Sequence, residues 1–343
     1  METAEPPVRK EIYTYKAPWT TYGLGWSHKD PQNKFRLAVG SFKEEYSNQI
    51  HIVELKREDG ESNPQQTEFT KLADVEHPYP ATKLAWAPAA VVSHTDDDIL
   101  ATAGDYLRLW KVDGDGGNTK MKSLLNNNRH TEYCAPLTSF DWNETDPNII
   151  GTSSVDTTCT IWDVNKLTPK TQLIAHDKEV YDIAFAKNSA DIFGTVGADG
   201  SLRIFDLRSL EHSTIMYESD DLTPLLRLSW NRQDPNYIAT ILTASSKAVI
   251  LDIRSPSVPV TELSGHQACL NSVCWAPHSS RHIATGSDDK QAFIWDTTPR
   301  PRVVEEPILA YMAESEVNSL VWDYSYEGWI SVCHNDCMQI LKV

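Results

Sequence analysis

The chain has 343 residues, of which 40% are hydrophobic and 23% charged, a composition typical of a soluble globular protein with enough apolar residues for a sizeable core. Its 31 Lys and Arg against 48 Asp and Glu give a formal net charge of −17, which disfavours direct nucleic-acid binding and favours contact with basic segments of other proteins. No stretch is long and apolar enough to cross a membrane, residues 1–9 lack the apolar core of a signal peptide, and the six cysteines form no CxxC pair. We therefore expect a reduced protein of the cytoplasm and nucleus.

The first predicted element is residues 10–17, KEIYTYKA, in which apolar and polar residues alternate as in a β-strand. We interpret residues 1–9 before it as a flexible N-terminus. The rest of the chain to residue 343 repeats one pattern, so we expect a single repeat domain over residues 10–343.

A short strand closed by an aromatic residue recurs along the chain, and a second strand follows each one after 19 to 27 residues. The first two steps between the aromatic markers are 60 and 56 residues, and the later steps are 43, 45, 45 and 47. The aromatic markers are Trp26, Trp86, Trp142, Phe185, Trp230, Trp275 and Trp322. The second strands contain Val53, Trp110, Trp162, Phe205, Leu251, Trp295 and Leu341.

A period near 45 residues with several short strands in each repeat is typical of a WD40 β-propeller, which has four strands per blade. Each such sheet is apolar on both faces and must stack against its neighbours to bury them. The seven pairs of strands therefore predict an all-β, seven-bladed WD40 β-propeller.

Polar insertions explain the long early steps, and we expect surface loops at residues 56–68, 94–98 and 113–119. The sequence ends two residues after Leu341, so we expect the seventh blade to lack its outermost strand. Residues 10–17 would then pair with that blade, complete it and close the ring.

Histidine, threonine, aspartate and tryptophan recur at fixed distances from the markers. His77, His176 and His266 precede the first marker by nine residues, and Asp156, Asp199 and Asp289 precede the second marker by six. Thr152, Thr195 and Thr285 lie between them, and Trp162 and Trp295 close two of the sets. Only the sixth repeat has all four members, since Phe205 replaces Trp in the fourth and Tyr133 replaces His in the third.

One set by itself, His266, Asp289 and Thr285, could suggest a hydrolase triad. Catalysis needs one set in one cleft, whereas partial sets recur around this chain. We therefore interpret them as a structural hydrogen-bond network that pairs buried polar groups within each blade.

Other chemistry is sparse. The sequence has no GxSxG, HExxH, Walker or paired zinc-ligand motif, so we expect no catalytic residue, no metal site, no cofactor and no enzyme activity. The acidic run 96–98 is interpreted as a solvated turn, with weak cation binding as the alternative.

The residue four positions before each aromatic marker should begin the strand nearest the central channel. Aromatic and apolar side chains at this mouth could anchor a partner, and the alternative is a channel lining without a partner. The seven candidates for a partner-binding face are Tyr22, Thr82, Thr138, Tyr181, Leu226, Asn271 and Asn318.

Several stretches go beyond a general WD40 pattern. They include PLTSFDWNETDPNIIGTSSVDTTCTIWD at 136–163, DGSLRIFDLRSLEHSTI at 199–215, LLRLSWNRQDPNY at 225–237 and KEIYTYKAPW at 10–19. With these stretches the chain resembles the Transparent Testa Glabra-like WD40 family of plants, and the resemblance covers nearly the whole sequence. Animal relatives in that family are adaptors for DYRK- and HIPK-type kinases.

The resemblance implies a protein-binding scaffold without catalysis of its own, and we expect the chain by itself to be monomeric. Plant members hold bHLH and MYB transcription factors together, and animal members link kinases to substrates. Some members also resemble substrate receptors of cullin-RING ubiquitin ligases, a role associated with a WD-x-Arg pattern. The matching positions place Arg208 after Phe205 and Arg254 after Leu251, without the Trp of that pattern. The alternative is that both arginines pair with nearby carboxylates.

Overall fold

The computed structural model describes residues 11–29, 34–56, 68–92, 97–126, 134–298 and 303–343. The expected flexible segment 1–9, most of the expected loop 56–68, and Tyr133 lie outside the described residues.

The described residues form short strands, with one helical turn at Ala89–Val92 and a 3₁₀ turn at Asp220–Leu222. The strands in chain order are β1 (Ile12–Lys16), β2 (Thr21–Trp26), β3 (Lys34–Ser41), β4 (Asn48–Lys56), β5 (Thr70–His77), β6 (Lys83–Trp86), β7 (Asp98–Ala103), β8 (Leu107–Val112), β9 (Thr119–Leu125), β10 (Leu137–Trp142), β11 (Ile149–Ser154), β12 (Thr158–Asp163), β13 (Thr168–Ile174), β14 (Val180–Phe185), β15 (Ile192–Gly197), β16 (Ser201–Asp206), β17 (Ser209–Glu218), β18 (Leu225–Trp230), β19 (Tyr237–Leu242), β20 (Lys247–Asp252), β21 (Thr261–Ser264), β22 (Leu270–Trp275), β23 (His282–Ser287), β24 (Gln291–Asp296), β25 (Val303–Val304), β26 (Leu309–Met312), β27 (Val317–Trp322), β28 (Trp329–His334) and β29 (Cys337–Lys342).

These strands form seven sheets, which are antiparallel apart from one short pairing in blade 5. The sheets are the blades of a β-propeller, and the predicted fold is confirmed. Blades 1 to 5 begin with β2, β6, β10, β14 and β18, and each continues outward through the next three strands. Blade 6 contains β22, β23, β24 and β26, and blade 7 contains β27, β28 and β29. The first strand of each blade lies innermost, against the central channel.

Strand β1 closes the ring as expected. It pairs antiparallel with β29, so that Ile12 lies opposite Leu341 and Lys16 opposite Cys337. The first described strand thus becomes the outermost strand of blade 7, and the edge of β29 is covered.

One strand pairing was not expected from the repeat. Residues Val303–Val304 form β25, which pairs parallel with β21 and gives blade 5 a fifth strand before the chain returns to blade 6 as β26. The link between β24 and β26 therefore fastens blade 6 to the outside of blade 5.

The aromatic markers end the inner strands and are buried, with 1% to 5% of each side chain exposed. Among the described residues, the buried apolar side chains form seven clusters, and each cluster lies between two neighbouring blades. The core is thus distributed around the ring, because each sheet buries its faces against the next.

The acidic run was interpreted incorrectly at Asp98. This residue begins β7, is fully buried, and accepts a hydrogen bond from Ser27 Oγ in the neighbouring blade. Asp97 pairs with Lys111, and residue 96 lies outside the described residues. Because its carboxylate is already bonded within the protein, Asp98 is not part of a solvated turn.

Turns alternate between the two faces of the ring because each blade is an antiparallel meander. We define the upper face by the turns that lead into the inner strands and those between the second and third strands. The lower face carries the turns after the inner strands and those after the third strands.

Candidate functional site

The predicted network of the sixth blade is complete. Trp295 Nε1 donates to Thr285 Oγ1 over 2.8 Å, and that hydroxyl lies 2.8 Å from His266 Nε2. His266 Nδ1 is 2.8 Å from Asp289 Oδ2. Burial lowers the pKa of His266, although Asp289 opposes this effect. A neutral ring that donates from Nδ1 to the carboxylate and accepts from the threonine satisfies every contact.

The same geometry argues against a triad. Thr285 has no exposed surface, and its hydroxyl is occupied by the indole and the imidazole. A substrate therefore cannot approach the oxygen that would act as nucleophile. The set instead connects the turn after β21 to strands β23 and β24, which stabilises the upper face.

The fourth blade has a related set without tryptophan. His176 Nδ1 lies 2.9 Å from Asp199 Oδ1, and Nε2 lies 2.7 Å from Thr195 Oγ1. Phe205 offers no donor at the fourth position. Burial opposes ionisation of Asp199, but hydrogen bonds from His176 and Ser201 hold the pKa of that carboxyl below its ordinary value.

In the third blade only part of the predicted set is brought together. Trp162 Nε1 donates to Thr152 Oγ1 over 3.0 Å. Asp156 does not join them, which corrects its assignment to the network: its carboxylate accepts from the Thr158 amide at 3.1 Å and hydroxyl at 2.7 Å. It caps an exposed turn, since no histidine occurs at the matching position, where the sequence has Tyr133.

His77 belongs to a set whose other members the sequence analysis missed. Its Nε2 lies 3.2 Å from Thr102 Oγ1, and Trp110 Nε1 donates to the same oxygen over 3.0 Å. Thr102 precedes Trp110 by eight residues instead of ten, because the hairpin that joins β7 to β8 is two residues shorter. The nearby Asp105 pairs with Arg108, and His77 Nδ1 hydrogen-bonds the Tyr79 carbonyl oxygen instead of a carboxylate.

The inner strands surround a central channel with a cavity of about 240 Å³. The channel wall contains three rings of seven residues, and each blade contributes one residue to each ring. We call these rings the upper, middle and lower levels. The upper level is Gly23, Lys83, Ser139, Asp182, Arg227, Ser272 and Ser319. The middle level is Gly25, Ala85, Asp141, Ala184, Ser229, Cys274 and Val321. The lower level is His28, Pro88, Glu144, Lys187, Arg232, Pro277 and Tyr324.

All seven residues of the predicted partner-binding face are half-buried near the upper mouth. Four of them donate a hydrogen bond to the first carbonyl of the inner strand in the next blade. These bonds join Thr82 to Leu137, Thr138 to Val180, Asn271 to Val317 and Asn318 to Thr21 over 2.6–3.4 Å. These four side chains therefore connect blades, a role that the sequence analysis did not foresee.

The other three positions differ in chemistry. They are Tyr22, Tyr181 and Leu226, whose side chains lack the short hydroxyl or amide group that reaches the carbonyl of the next blade at the other four positions. The ring of Tyr22 instead packs against Phe42, with centroids 5.5 Å apart. The predicted face thus divides into four connecting residues and three bulky side chains at the mouth.

Asp182 in the upper level is a hub between blades. Its Oδ1 accepts from Ser139 Oγ at 2.6 Å and from the Ile183 amide at 2.9 Å, and its Oδ2 accepts from the Leu228 amide at 2.9 Å. Lys83 Nζ lies 3.5 Å from Oδ1. One buried carboxylate therefore joins four consecutive blades.

A cluster of charged and aromatic residues narrows the lower mouth. Glu144 lies 2.7 Å from Arg232 and 3.2 Å from Lys187, and the Arg232 guanidinium lies 4.8 Å from the centre of the Tyr324 ring. His28 contacts Tyr324 edge-on, and burial lowers the pKa of His28 to about 4. This lower cluster was not predicted from the sequence, although each member lies two residues after an aromatic marker.

The two arginines of the ligase pattern lie on the lower face. Arg208 contacts the Asp206 carboxylate at 2.6 Å and lowers its pKa to about 2, and Arg254 contacts the Asp252 carboxylate at 2.7 Å. Their side chains remain 67% and 60% exposed, so both pairs can be contacted from outside.

Within the described ranges, no three His, Cys, Asp or Glu side chains lie where they could hold a metal ion together. None of the helical turns in those ranges is long and apolar enough to cross a membrane. The six cysteines are free thiols.

Comparison with known proteins identifies a matching family and several relatives of this chain. The profile of the WD domain, G-beta repeat family matches residues 167–206 and 257–296. Each match runs from the outer strand of one blade through the first three strands of the next, so the two matches end in blades 4 and 6. The DDB1- and CUL4-associated factor 7 homolog of Dictyostelium discoideum is 54% identical over 335 residues, which cover 98% of this chain and 99% of that protein.

Two fungal relatives extend the similarity. An uncharacterized WD repeat-containing protein of Schizosaccharomyces pombe is 38% identical across 97% of this chain and 90% of its own length. A WD repeat-containing protein of Saccharomyces cerevisiae is 34% identical across 84% of this chain and 59% of its own length.

Proposed function

Since the chain belongs to the WD40-repeat family of the DDB1- and CUL4-associated factor 7 homolog, we propose that it is a scaffold that holds other proteins together without catalysis of its own. The observation that carries this function is the 54% identity to that associated factor, which extends over essentially the whole of both chains. The rigid ring supports it, because its exposed turns and channel mouths offer several separate surfaces on one body.

We propose transcription factors of the bHLH and MYB types, or kinases of the DYRK and HIPK types, as partners in the cytoplasm and nucleus. The resemblance of segments such as 136–163 to Transparent Testa Glabra-like scaffolds supports this choice. The net charge of −17 also favours basic segments, which kinases and DNA-binding factors commonly carry.

Quantitative affinity purification of the full chain, followed by binding assays with the purified proteins it retains, tests this function. We expect at least one stable complex with a member of the named classes and no turnover of that partner by the chain itself. Failure of the chain to retain any protein of these classes would overturn the proposal.

A second function is favoured by the name of the Dictyostelium relative, which associates that protein with DDB1 and CUL4. We infer that this chain can deliver bound proteins to a cullin-RING ligase through the lower face. Arg208 and Arg254 support the inference, since both are exposed and held in one orientation by a carboxylate two residues earlier.

The double variant Arg208→Ala and Arg254→Ala should bind purified DDB1 at least tenfold more weakly, because rigid, exposed arginines are frequent interface hot spots. Arg281→Ala is the matched control, since it removes an exposed arginine from another turn of the lower face. Equal affinity of all three proteins for DDB1 would exclude this surface.

A further inference from the structure

Five aromatic residues lie together on the upper face of blades 1 and 2, outside the hydrogen-bond networks described above. They come from four separate segments: the start of β2, the turn 42–47, the link between β5 and β6, and the turn between β7 and β8. We define this aromatic patch as Tyr22, Phe42, Tyr46, Tyr79 and Tyr106.

Two ring contacts lie within the patch. Tyr22 and Phe42 have centroids 5.5 Å apart, and Tyr46 and Tyr79 have centroids 5.3 Å apart. Burial and then the neighbouring Tyr46 and Asp105 raise the pKa of the Tyr79 hydroxyl. The patch therefore consists of two ring pairs and Tyr106, all on upper-face segments of blades 1 and 2.

The patch is exposed to an extent unusual for large aromatic side chains. Tyr46 is 77% exposed, Phe42 46% and Tyr79 41%. Aromatic side chains make large contributions to binding energy because they bury much area at little conformational cost. A cluster of this size on an otherwise polar surface marks a contact site.

The charges around the patch decide the kind of partner. Glu44 and Glu45 lie exposed in the same turn as Phe42 and Tyr46, and Glu76 is exposed at the upper end of β5. Lys43 offsets one of these charges, and Asp105 is paired with Arg108. The surroundings are thus net negative on a chain whose total charge is −17, which would also repel a second copy of this protein.

We propose that the aromatic patch binds an extended segment of a partner protein that carries arginine or lysine side chains. The cationic groups would lie over the tyrosine rings, in cation–π contact, while the three glutamates attract the segment from solution. The Arg108 guanidinium, 5.8 Å from the centre of the Tyr106 ring, already makes this type of contact within the chain. This inference rests on the proposed scaffold function and assigns it a surface and a class of partner.

The test selects binders for the full chain from a random linear peptide library and measures the affinity of the selected peptides by fluorescence anisotropy. We expect basic peptides whose affinity falls as salt rises, and loss of binding when their Arg and Lys are replaced by Glu. Selection of acidic or uncharged peptides, or of none, would overturn the proposal.

Variants locate the binding. Tyr46→Ala with Tyr79→Ala should weaken binding of the basic peptides about tenfold or more, since such aromatic anchors dominate small interfaces. Ile174→Ala with Met312→Ala is the control, because these side chains are 77% and 65% exposed on outer strands away from the patch. If both double variants lost affinity equally, or if the tyrosine variant lost none, the peptides would bind elsewhere.

A second pair of variants tests the charge. Glu44→Lys with Glu45→Lys should weaken binding of the same peptides severalfold, whereas Glu211→Lys with Glu218→Lys, on outer strand β17, should leave it unchanged. Unchanged binding in the first pair would contradict attraction of a basic segment.

Affinity purification with the Tyr46 and Tyr79 variant separates this inference from the proposed function. A normal set of retained proteins would preserve the scaffold and exclude the patch. A wild-type chain that retains no protein of the proposed classes would instead exclude the scaffold function itself.

Discussion

In blade 6 a single threonine hydroxyl serves both an indole and an imidazole, whereas in blade 4 the equivalent hydroxyl serves only the imidazole. Thr285→Val would leave both Trp295 and His266 without a buried partner, at about 1–3 kcal/mol for each unsatisfied group. We expect it to lower the free energy of unfolding by about 3 kcal/mol, and Thr195→Val by about half as much. Urea unfolding under identical conditions measures both.

A third threonine variant is the control for Thr285→Val and Thr195→Val. Thr158→Val removes two exposed hydrogen bonds of this hydroxyl, to Asp156 and from Gln172, so we expect a loss below about 0.5 kcal/mol. If Thr285→Val and Thr195→Val cost the same, the indole would contribute nothing to the network.

His28 in the lower cluster makes stability depend on pH. Burial lowers its pKa to about 4 in the folded protein, against about 6.5 for an exposed ring. The unfolded chain therefore binds the proton more tightly, so this contribution is fully present above pH 6.5 and is lost as the pH falls toward 4. We expect a loss of about 2 kcal/mol, less than the full shift implies because the ring keeps some contact with solvent.

The measurement is urea unfolding of the wild type and of His28→Gln across pH 4 to 7. The difference in unfolding free energy between the two proteins should shift in favour of the variant as the pH falls. A constant difference over this range would mean that His28 does not titrate between the folded and unfolded states.

The sequence predicted the residue sets where the spacing was regular and failed where it was not. His266 and Asp289 follow the fixed spacing, so their contact could be anticipated. Thr102 was missed because a shorter hairpin changes its distance from Trp110. Contacts between blades, such as those of Asp182 and Glu144, depend on which side chains meet across the ring, and spacing within one repeat carries no such information.

At the scale of the element, β1 could be predicted because its residues alternate between a face that points into the protein and a face that points to solvent. Tyr13 stacks on Trp329 with centroids 6.1 Å apart, and Tyr15 bonds His51 Nδ1 at 2.8 Å. Ile12 and Thr14 point outward. Strand β25 escaped prediction, since a two-residue strand has no detectable period.

We expect Tyr13→Ser with Tyr15→Ser to lower the unfolding free energy by about 3 kcal/mol, because the packing of two half-buried aromatic rings is lost. The weakened β1 would expose the edge of β29, so aggregation on mild heating should increase. Light scattering and urea unfolding measure the two effects.

The control uses the other face of the same strand. Ile12→Ser with Thr14→Ala changes side chains that point to solvent and should cost less than about 1 kcal/mol. Equal destabilisation by the two pairs would show that β1 is held by its backbone alone and that the inward tyrosines add nothing.

At the scale of the molecule, stability depends on polar connections between blades as well as on the seven apolar clusters. Asp182→Ala would remove the acceptor for a hydroxyl and two amides from three blades. Because several buried donors would lose their partner, we expect a loss of about 3–5 kcal/mol in unfolding free energy.

Asp177→Ala is the matched control in the same blade, since that carboxylate is 82% exposed and pairs with Arg203 at the surface. It should cost less than about 1 kcal/mol. Urea unfolding followed by tryptophan fluorescence compares the two variants, and a small loss for Asp182→Ala would show that the apolar clusters alone hold adjacent blades in place.

Closure of the ring by β1 also has a consequence for biosynthesis. The strand that pairs with β29 leaves the ribosome about 320 residues earlier, and at roughly 5–20 residues per second it waits on the order of 15–65 s for its partner. During that interval Tyr13 lacks Trp329, the ring on which it stacks in the closed propeller. A nascent chain of this protein therefore presents an incomplete ring throughout synthesis, and we expect chaperones to hold it until the final strand emerges.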